Sequence, residues 1–295
     1  MKTRVLLLLV VLGAAEAVVS QPIEGTSNSV IVEVNKAVPV AAVAVSTEKL
    51  TLETLGITSI PKFHALIIGV SDYKYAGPGL PNLDEPAKDA DKIYQILTEK
   101  YSFEPANVHL LKSPTREEII NSFDHLATEV KDRDNLLVFY AGHGYYDKGK
   151  DFGYWLPSDA KKTSTAAWIS NSTIKDYMGA INSKHTLLIT DACFSGSIFK
   201  TRSVEATIMQ FNQLYKDKSR KGLTSGNLTE VPDKSVFVRY LIKELDENED
   251  IFLSSAKLFT RMYEPIVNNT PTIPQYGVIQ GAGDEGGDFI FIKKN

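Results

Sequence analysis

From Phe63 onward the chain alternates short apolar runs with longer stretches in which apolar residues recur every three or four positions. Ala65 to Val70 (ALIIGV), Val108 to Leu111, Asn135 to Tyr140 (NLLVFY) and Thr186 to Thr190 (TLLIT) are runs of strand length. Continuous apolar runs bounded by turn residues predict strands buried on both faces, the pattern of a parallel sheet. Between them, Pro86 to Tyr101 has helical spacing at Ala90, Ile93, Ile96 and Leu97. Thr115 stands three residues before Glu118, a capping-box spacing, and opens a second helix with Ile119, Phe123, Leu126 and Val130 on one side. Further helices are expected at Ile174 to Ile181, near Ser235 to Leu245 and near Ser254 to Tyr263, with a terminal strand at Phe289 to Ile292. Tyr154-Trp155-Leu156-Pro157 predicts a short exposed hairpin. Alternation of this kind implies right-handed crossovers. The expected fold class is α/β: a mostly parallel central sheet with helices on both faces, a three-layer sandwich.

Residues 199 to 221 are polar and lysine-rich with no strong period, and are expected to form a loop between a larger part (61–198) and a smaller one (222–295). Residues 21 to about 60 are a Val- and Ala-rich spacer. At the start, Lys2 and Arg4 precede Val5 to Leu12, and small residues follow at Ala15-Glu16-Ala17 and up to Ser20. That is the layout of a secretory signal peptide over residues 1–20, cleaved after Ala17 or Ser20. Its apolar run is far short of the roughly 20 residues that span a bilayer, so stable membrane insertion is not expected. A secreted or periplasmic location follows as an expectation.

Two glycine-bounded stretches carry the candidate chemistry. Tyr140-Ala141-Gly142-His143-Gly144 follows one expected strand, and Asp191-Ala192-Cys193-Phe194-Ser195-Gly196 follows another. Cys193 is the single cysteine of 295 residues. Loops at the carboxyl ends of parallel strands are where open α/β sheets place their sites. A thiol and an imidazole converging there form the pair a cysteine hydrolase needs, because the thiolate is the nucleophile and the imidazole moves the proton. The blander readings are a small buried cysteine and a structural histidine. The flanking glycines favour chemistry, since they let a substrate backbone approach without obstruction.

A strand ending in His-Gly, then about 50 residues later a strand ending in Asp-x-Cys-x-x-Gly, resembles the caspase-like cysteine peptidases, where that spacing recurs. Asp191-Ala192-Cys193-Phe194-Ser195-Gly196 departs from the Gln-Ala-Cys signature of caspases proper. It is similar instead to the metacaspase, paracaspase and bacterial caspase-like branch. The likeness runs from Phe63 (FHALIIGVSDY) to Phe291 (GGDFIFI). It implies a caspase-like fold over 61–295 and endopeptidase activity on protein or peptide substrates through a His143/Cys193 dyad. It also implies an oxyanion hole formed by the backbone N–H groups of Gly144 and Cys193, and an S1 pocket containing Asp89 and Asp191. Two carboxylates there would pair with a P1 Arg or Lys and repel P1 Asp. Self-cleavage after a basic residue of the 199–221 loop (Lys200, Arg202, Lys216, Lys218, Arg220 or Lys221) would follow from that preference. Two alternatives stay open: a catalytically silent signalling or scaffold module, and a thiol amidase or transpeptidase using the same dyad.

Composition narrows the classes. A net charge of −4 and a pI of about 5.8 give no footprint for nucleic acid. One cysteine excludes an internal disulfide framework and a zinc–thiolate cluster. The five histidines are scattered, with no His–His pair at helical spacing and no His-x-Glu, so no metal site is expected. No cofactor is expected either. Some metacaspases require Ca²⁺, but Glu244 to Asp250 (ELDENED) fits no calcium-loop spacing and reads as a solvated helix end. Gly281-Ala-Gly283-Asp-Glu-Gly286 matches a dinucleotide fingerprint, but only nine residues follow, so it reads as a surface turn. Sequons stand at Asn171, Asn227 and Asn268.

Overall fold

The structure, a computed structural model, describes residues 60–192, 199–201, 211–226 and 233–294. The signal-like segment, the spacer, and Cys193 with the residues just after it lie outside the described residues. The chain runs through β1 (Phe63–Gly69), α1 (Pro86–Lys100), β2 (Val108–Lys112), α2 (Arg116–Glu129), β3 (Asn135–Ala141), β4 (Gly144–Asp147) and β5 (Phe152–Trp155). It continues through β6 (Ile169–Ser170), α3 (Asn171–Ala180), β7 (His185–Asp191), β8 (Phe199–Thr201), α4 (Phe211–Lys216) and β9 (Ser219–Thr224). Last come α5 (Val236–Asp246), β10 (Phe252–Ser254), α6 (Ser255–Val267), β11 (Gln275–Ile279) and β12 (Ile290–Ile292).

Seven of these strands form one sheet in the order β2-β1-β3-β7-β9-β11-β8. The first five are mutually parallel; β11 runs antiparallel beside β9, and β8 runs antiparallel beside β11 at the far edge. Strands β1, β3 and β7 are buried along their whole length, as their continuous apolar runs require. Alternate residues feed two cores. Phe63, Ala65, Ile67, Leu137, Phe139, Leu187 and Ile189 pack under α1, α5 and α6. Leu66, Ile68, Leu136, Val138 and Leu188 pack under α2 and α3. This is the expected three-layer α/β arrangement.

Helix α1 buries the anticipated Ala90, Ile93, Ile96 and Leu97. At α2 the capping box is present in both directions: Glu118 N–H donates to Thr115 Oγ1 at 3.3 Å and Thr115 N–H donates to Glu118 Oε2 at 2.7 Å. Two readings need correction. The hairpin expected at Tyr154 to Pro157 is part of a three-stranded sheet, β4-β5-β6, and its Trp155 is fully buried, stacked on Tyr140 with ring centroids 4.2 Å apart. The polar 199–221 stretch contains β8, α4 and the start of β9, a central strand buried at every residue.

Strand β9 escaped the pattern because two of its first three side chains are cationic. Burial is tolerated because both cationic heads find acceptors, although Arg220 Nε finds none. The Arg220 guanidinium donates to the carbonyls of Ser219, Ser183, Lys184 and Ile181 at 2.8–3.4 Å. Lys221 Nζ donates to both carboxylate oxygens of Asp284 at 2.9 and 3.0 Å, and Arg220 N–H donates to the same group at 2.8 Å. Asp284 belongs to the Gly281–Gly286 turn, whose three glycines all have positive φ. The dinucleotide-like pattern is therefore a turn that delivers a counter-ion to β9.

Candidate active site

Strands β1, β3, β7 and β9 end level at one rim of the sheet. Gly69 pairs with Ala141, Ala141 with Asp191, and Thr190 with Thr224. Hydrogen bonds carry the alignment past the ends: Val70 N–H to Ala141 O (2.9 Å), Gly142 N–H to Asp191 O (3.4 Å) and Ser225 N–H to Thr190 O (3.1 Å). Glycine is needed twice at this rim. A Cβ on Gly69 would sit 2.3 Å from the Pro86 carbonyl oxygen, so its absence lets the start of α1 press onto the end of β1. A Cβ on Gly142, at φ +154°, would sit 3.0–3.1 Å from Val70 and the hydroxyls of Tyr73 and Tyr140.

His143, half-buried, stands two residues beyond the end of β3. Its backbone N–H donates to Tyr73 Oη at 2.8 Å, and its carbonyl accepts from Tyr140 Oη at 2.7 Å. The buried Tyr73 ring also lies against the imidazole, centroids 5.0 Å apart, and burial pushes the Tyr73 hydroxyl well above its ordinary pKa. Nε2 of His143 is 2.9 Å from the Pro81 carbonyl oxygen. A carbonyl can only accept, so Nε2 carries the hydrogen, and Nδ1 becomes the basic nitrogen. The carbonyl that orients His143 was invisible in the sequence, because a backbone acceptor leaves no residue signature. Gly144, also half-buried, follows at once as the first residue of β4, paired with Trp155.

Asp191 ends β7 and is buried, and its Oδ1 finds no hydrogen-bond partner. Burial raises its carboxyl from 3.8 to about 6. The hydroxyls of Ser225 and Ser235 pull it back down, and the nearby charge of Asp89 pushes it up further. Asp89, in the first turn of α1, is likewise buried rather than on an exposed helix face. Its carboxyl is also raised, chiefly by burial, against the pull of Lys92 with Nζ at 3.3 Å. A cavity of about 300 Å³ lies between the starts of α1 and α5, lined among others by Glu85, Asp89, Ser235, Lys92, Lys234 and Arg239. The fold thus brings Asp89 and Asp191 into electrostatic contact beside His143's rim. Cys193 itself lies outside the described residues, one peptide bond beyond Ala192.

The other histidines sort differently. His185 is fully buried at the opposite end of β7, with its ring nitrogens on Ser219 Oγ and the Tyr215 carbonyl. Burial drops its pKa to about 3, so it is a neutral structural group. His64 is buried 3.4 Å from Asp134. His109 and His125, far apart in sequence, converge with Glu129, which the spacing argument against metal ligation did not anticipate. In the Glu244–Asp250 segment, Asp250 is held by Lys257 and Arg261 (both 2.7 Å) and Asp246 by Lys100 (2.6 Å). Among the described residues, no helix is long and apolar enough to cross a membrane. Of the described sequons, Asn171 is buried and Asn268 exposed.

A mostly parallel sheet flanked by helices on both faces, with a histidine presented from the carboxyl end of a central strand, is an α/β architecture of the caspase-like kind. The caspase domain family matches residues 62–276, nearly three quarters of the chain, and this protein belongs to that family of peptidases. Among solved structures, the crystal structure of protein GSU0716 from Geobacter sulfurreducens is similar at TM-score 0.52 and 18% identity. The match covers 78% of this chain and all of that one, a likeness of fold. No curated protein matches the sequence.

Proposed function

We propose that the protein is a cysteine endopeptidase that cleaves after Arg or Lys through His143 and Cys193. The observation that carries the reading is register. β3 and β7 are adjacent and parallel, Ala141 is level with Asp191, and His143 and Cys193 each follow two residues later in sequence. With Nε2–H committed to the Pro81 carbonyl, Nδ1 of His143 takes the proton from the Cys193 thiol. The thiolate adds to the scissile carbonyl, the N–H groups of Gly144 and Cys193 receive the oxyanion, and His143 returns the proton to the departing amine. Water then hydrolyses the thioester. The proton transfers contribute about 10²–10⁴ in rate, and each oxyanion donor about 10²–10³.

P1 preference rests on Asp191 and Asp89. Two buried carboxylates, one with an oxygen lacking any partner, gain most from a substrate guanidinium or ammonium. Self-cleavage belongs to the same reading, confined to Lys200, Arg202, Lys216 and Lys218, since Arg220 and Lys221 are locked inside β9. The signal-like N-terminus supports a secreted or periplasmic setting for the enzyme. The test is hydrolysis of fluorogenic peptides ending in Arg, Lys or Asp. Turnover of Arg and Lys peptides that disappears in both Cys193→Ala and His143→Ala is expected. Equal turnover in Cys193→Ala refutes the dyad, and cleavage after Asp refutes the pocket.

A further inference from the structure

Away from His143's rim, His109 on β2, level with the middle of β1, meets His125 and Glu129 on the last turns of α2. β2 is the edge strand of the sheet, and His109 pairs in register with Leu66, whose side chain faces α2. His125 and Glu129 are four residues apart, so both project from one face of the helix. Glu129 Oε2 lies 3.3 Å from His125 Nδ1 and 3.7 Å from His109 Nε2, and the three donor atoms all lie within 4.8 Å of one another. The two rings stand nearly perpendicular, centroids 5.5 Å apart. His109 Nε2 is shielded from solvent and makes no hydrogen bond of acceptable geometry, although its ring edge is partly exposed. Two imidazole nitrogens thus compete for one carboxylate oxygen, and one is left unsatisfied.

From this geometry we infer that His109, His125 and Glu129 form a binding site for a zinc-class divalent cation that clips the edge strand β2 to α2. Two imidazoles and a carboxylate are a borderline-soft donor set, suited to Zn²⁺ with water in the fourth position and poorly suited to Ca²⁺ or Mg²⁺. Tetrahedral zinc with bonds of roughly 2.0–2.1 Å separates its ligand atoms by about 3.4 Å, so two of the contacts need almost no adjustment. Half-exposed side chains can supply the remaining contraction by rotation. The bound cation would give His109 Nε2 a partner and cross-link a strand that has a neighbour on one side only. The inference stands independently of the peptidase reading.

The experiment uses tag-free protein carrying Cys193→Ala, because a thiolate beside His143 would itself take zinc. Zn²⁺ is titrated calorimetrically and the thermal midpoint is followed. One equivalent should bind with micromolar or tighter affinity and raise the midpoint by roughly 5–10 °C at a hundredfold excess over Kd, whereas Mg²⁺ and Ca²⁺ should leave it unchanged. His109→Ala, His125→Ala and Glu129→Gln should each weaken zinc binding at least about tenfold while keeping the metal-free midpoint within a few degrees. Co²⁺ should give the visible absorption bands of a tetrahedral nitrogen–oxygen site, lost in the same variants. Absence of micromolar binding overturns the inference, as does binding of undiminished strength in all three variants.

Discussion

Replacing Asp191 by Asn should make the protein more stable and a much poorer enzyme. Raising the Asp191 carboxyl from 3.8 to about 6 by burial costs the folded state roughly 3 kcal/mol at neutral pH, at about 1.36 kcal/mol for each tenfold change in proton affinity. The folded protein holds this proton more tightly than the unfolded chain. The penalty is therefore fully developed above about 6 and fades as pH falls towards 3.8. An amide carries no such charge penalty. The variant's midpoint should exceed the parent's by roughly 6–12 °C at pH 7.5, at about 2–4 °C per kcal/mol for a domain of this size. The gap should narrow towards zero near pH 4. Circular-dichroism melts across that range, run in a Cys193→Ala background to prevent self-digestion, are the assay. Turnover, measured with the dyad intact, should fall on Arg and Lys peptides by the ~2–5 kcal/mol that losing one partner of a buried ion pair costs. A variant that is less stable at every pH, or whose advantage ignores pH, refutes the argument that Asp191 is held charged at a cost.

Two further perturbations probe the supports of the site. Lys221→Met leaves the Asp284 carboxylate buried, keeping only its backbone donors. About 3–5 kcal/mol should be lost in denaturant unfolding, and a loss under 1 kcal/mol would mean that the pair is dispensable. Tyr73→Phe removes the acceptor for His143 N–H while keeping the ring. kcat should drop about tenfold or more with KM little changed, and unaltered kcat would sever Tyr73 from the positioning of His143.

The sequence disclosed the sheet wherever burial is achieved with apolar side chains. β1, β3 and β7 are uninterrupted runs, and α1 and α2 carry helical spacing with a capping box. It concealed β9, because a strand reading Ser-Arg-Lys-Gly-Leu-Thr is made burial-tolerant only by carbonyls and a carboxylate brought from distant segments. The same rule separates the legible from the illegible at the rim. His143 and Asp191 stand out as side chains beyond or at strand ends, whereas Asp89, inside the first turn of α1, stands out only through the family resemblance. The Pro81 carbonyl and the Tyr73 hydroxyl act through tertiary contacts that no spacing encodes. His109 meets His125 and Glu129 for that reason too: a strand and a helix separated by a turn bring them together.

The order of strands has a consequence for what a nick would do. β7 and β9 are direct neighbours joined by six paired residues, although the chain between them wanders out to the far edge and back. Severing the backbone anywhere in that excursion leaves both pieces embedded in one sheet, each supplying strands to the other's core. Such a protein would migrate as two bands under denaturing electrophoresis yet elute as one particle from a sizing column. The amino-terminal fragment would keep His143 and Asp191, while the carboxyl-terminal one would contribute Ser225 and Ser235 around that acid. Neither half would retain all the groups that surround the Asp191 carboxyl once separated.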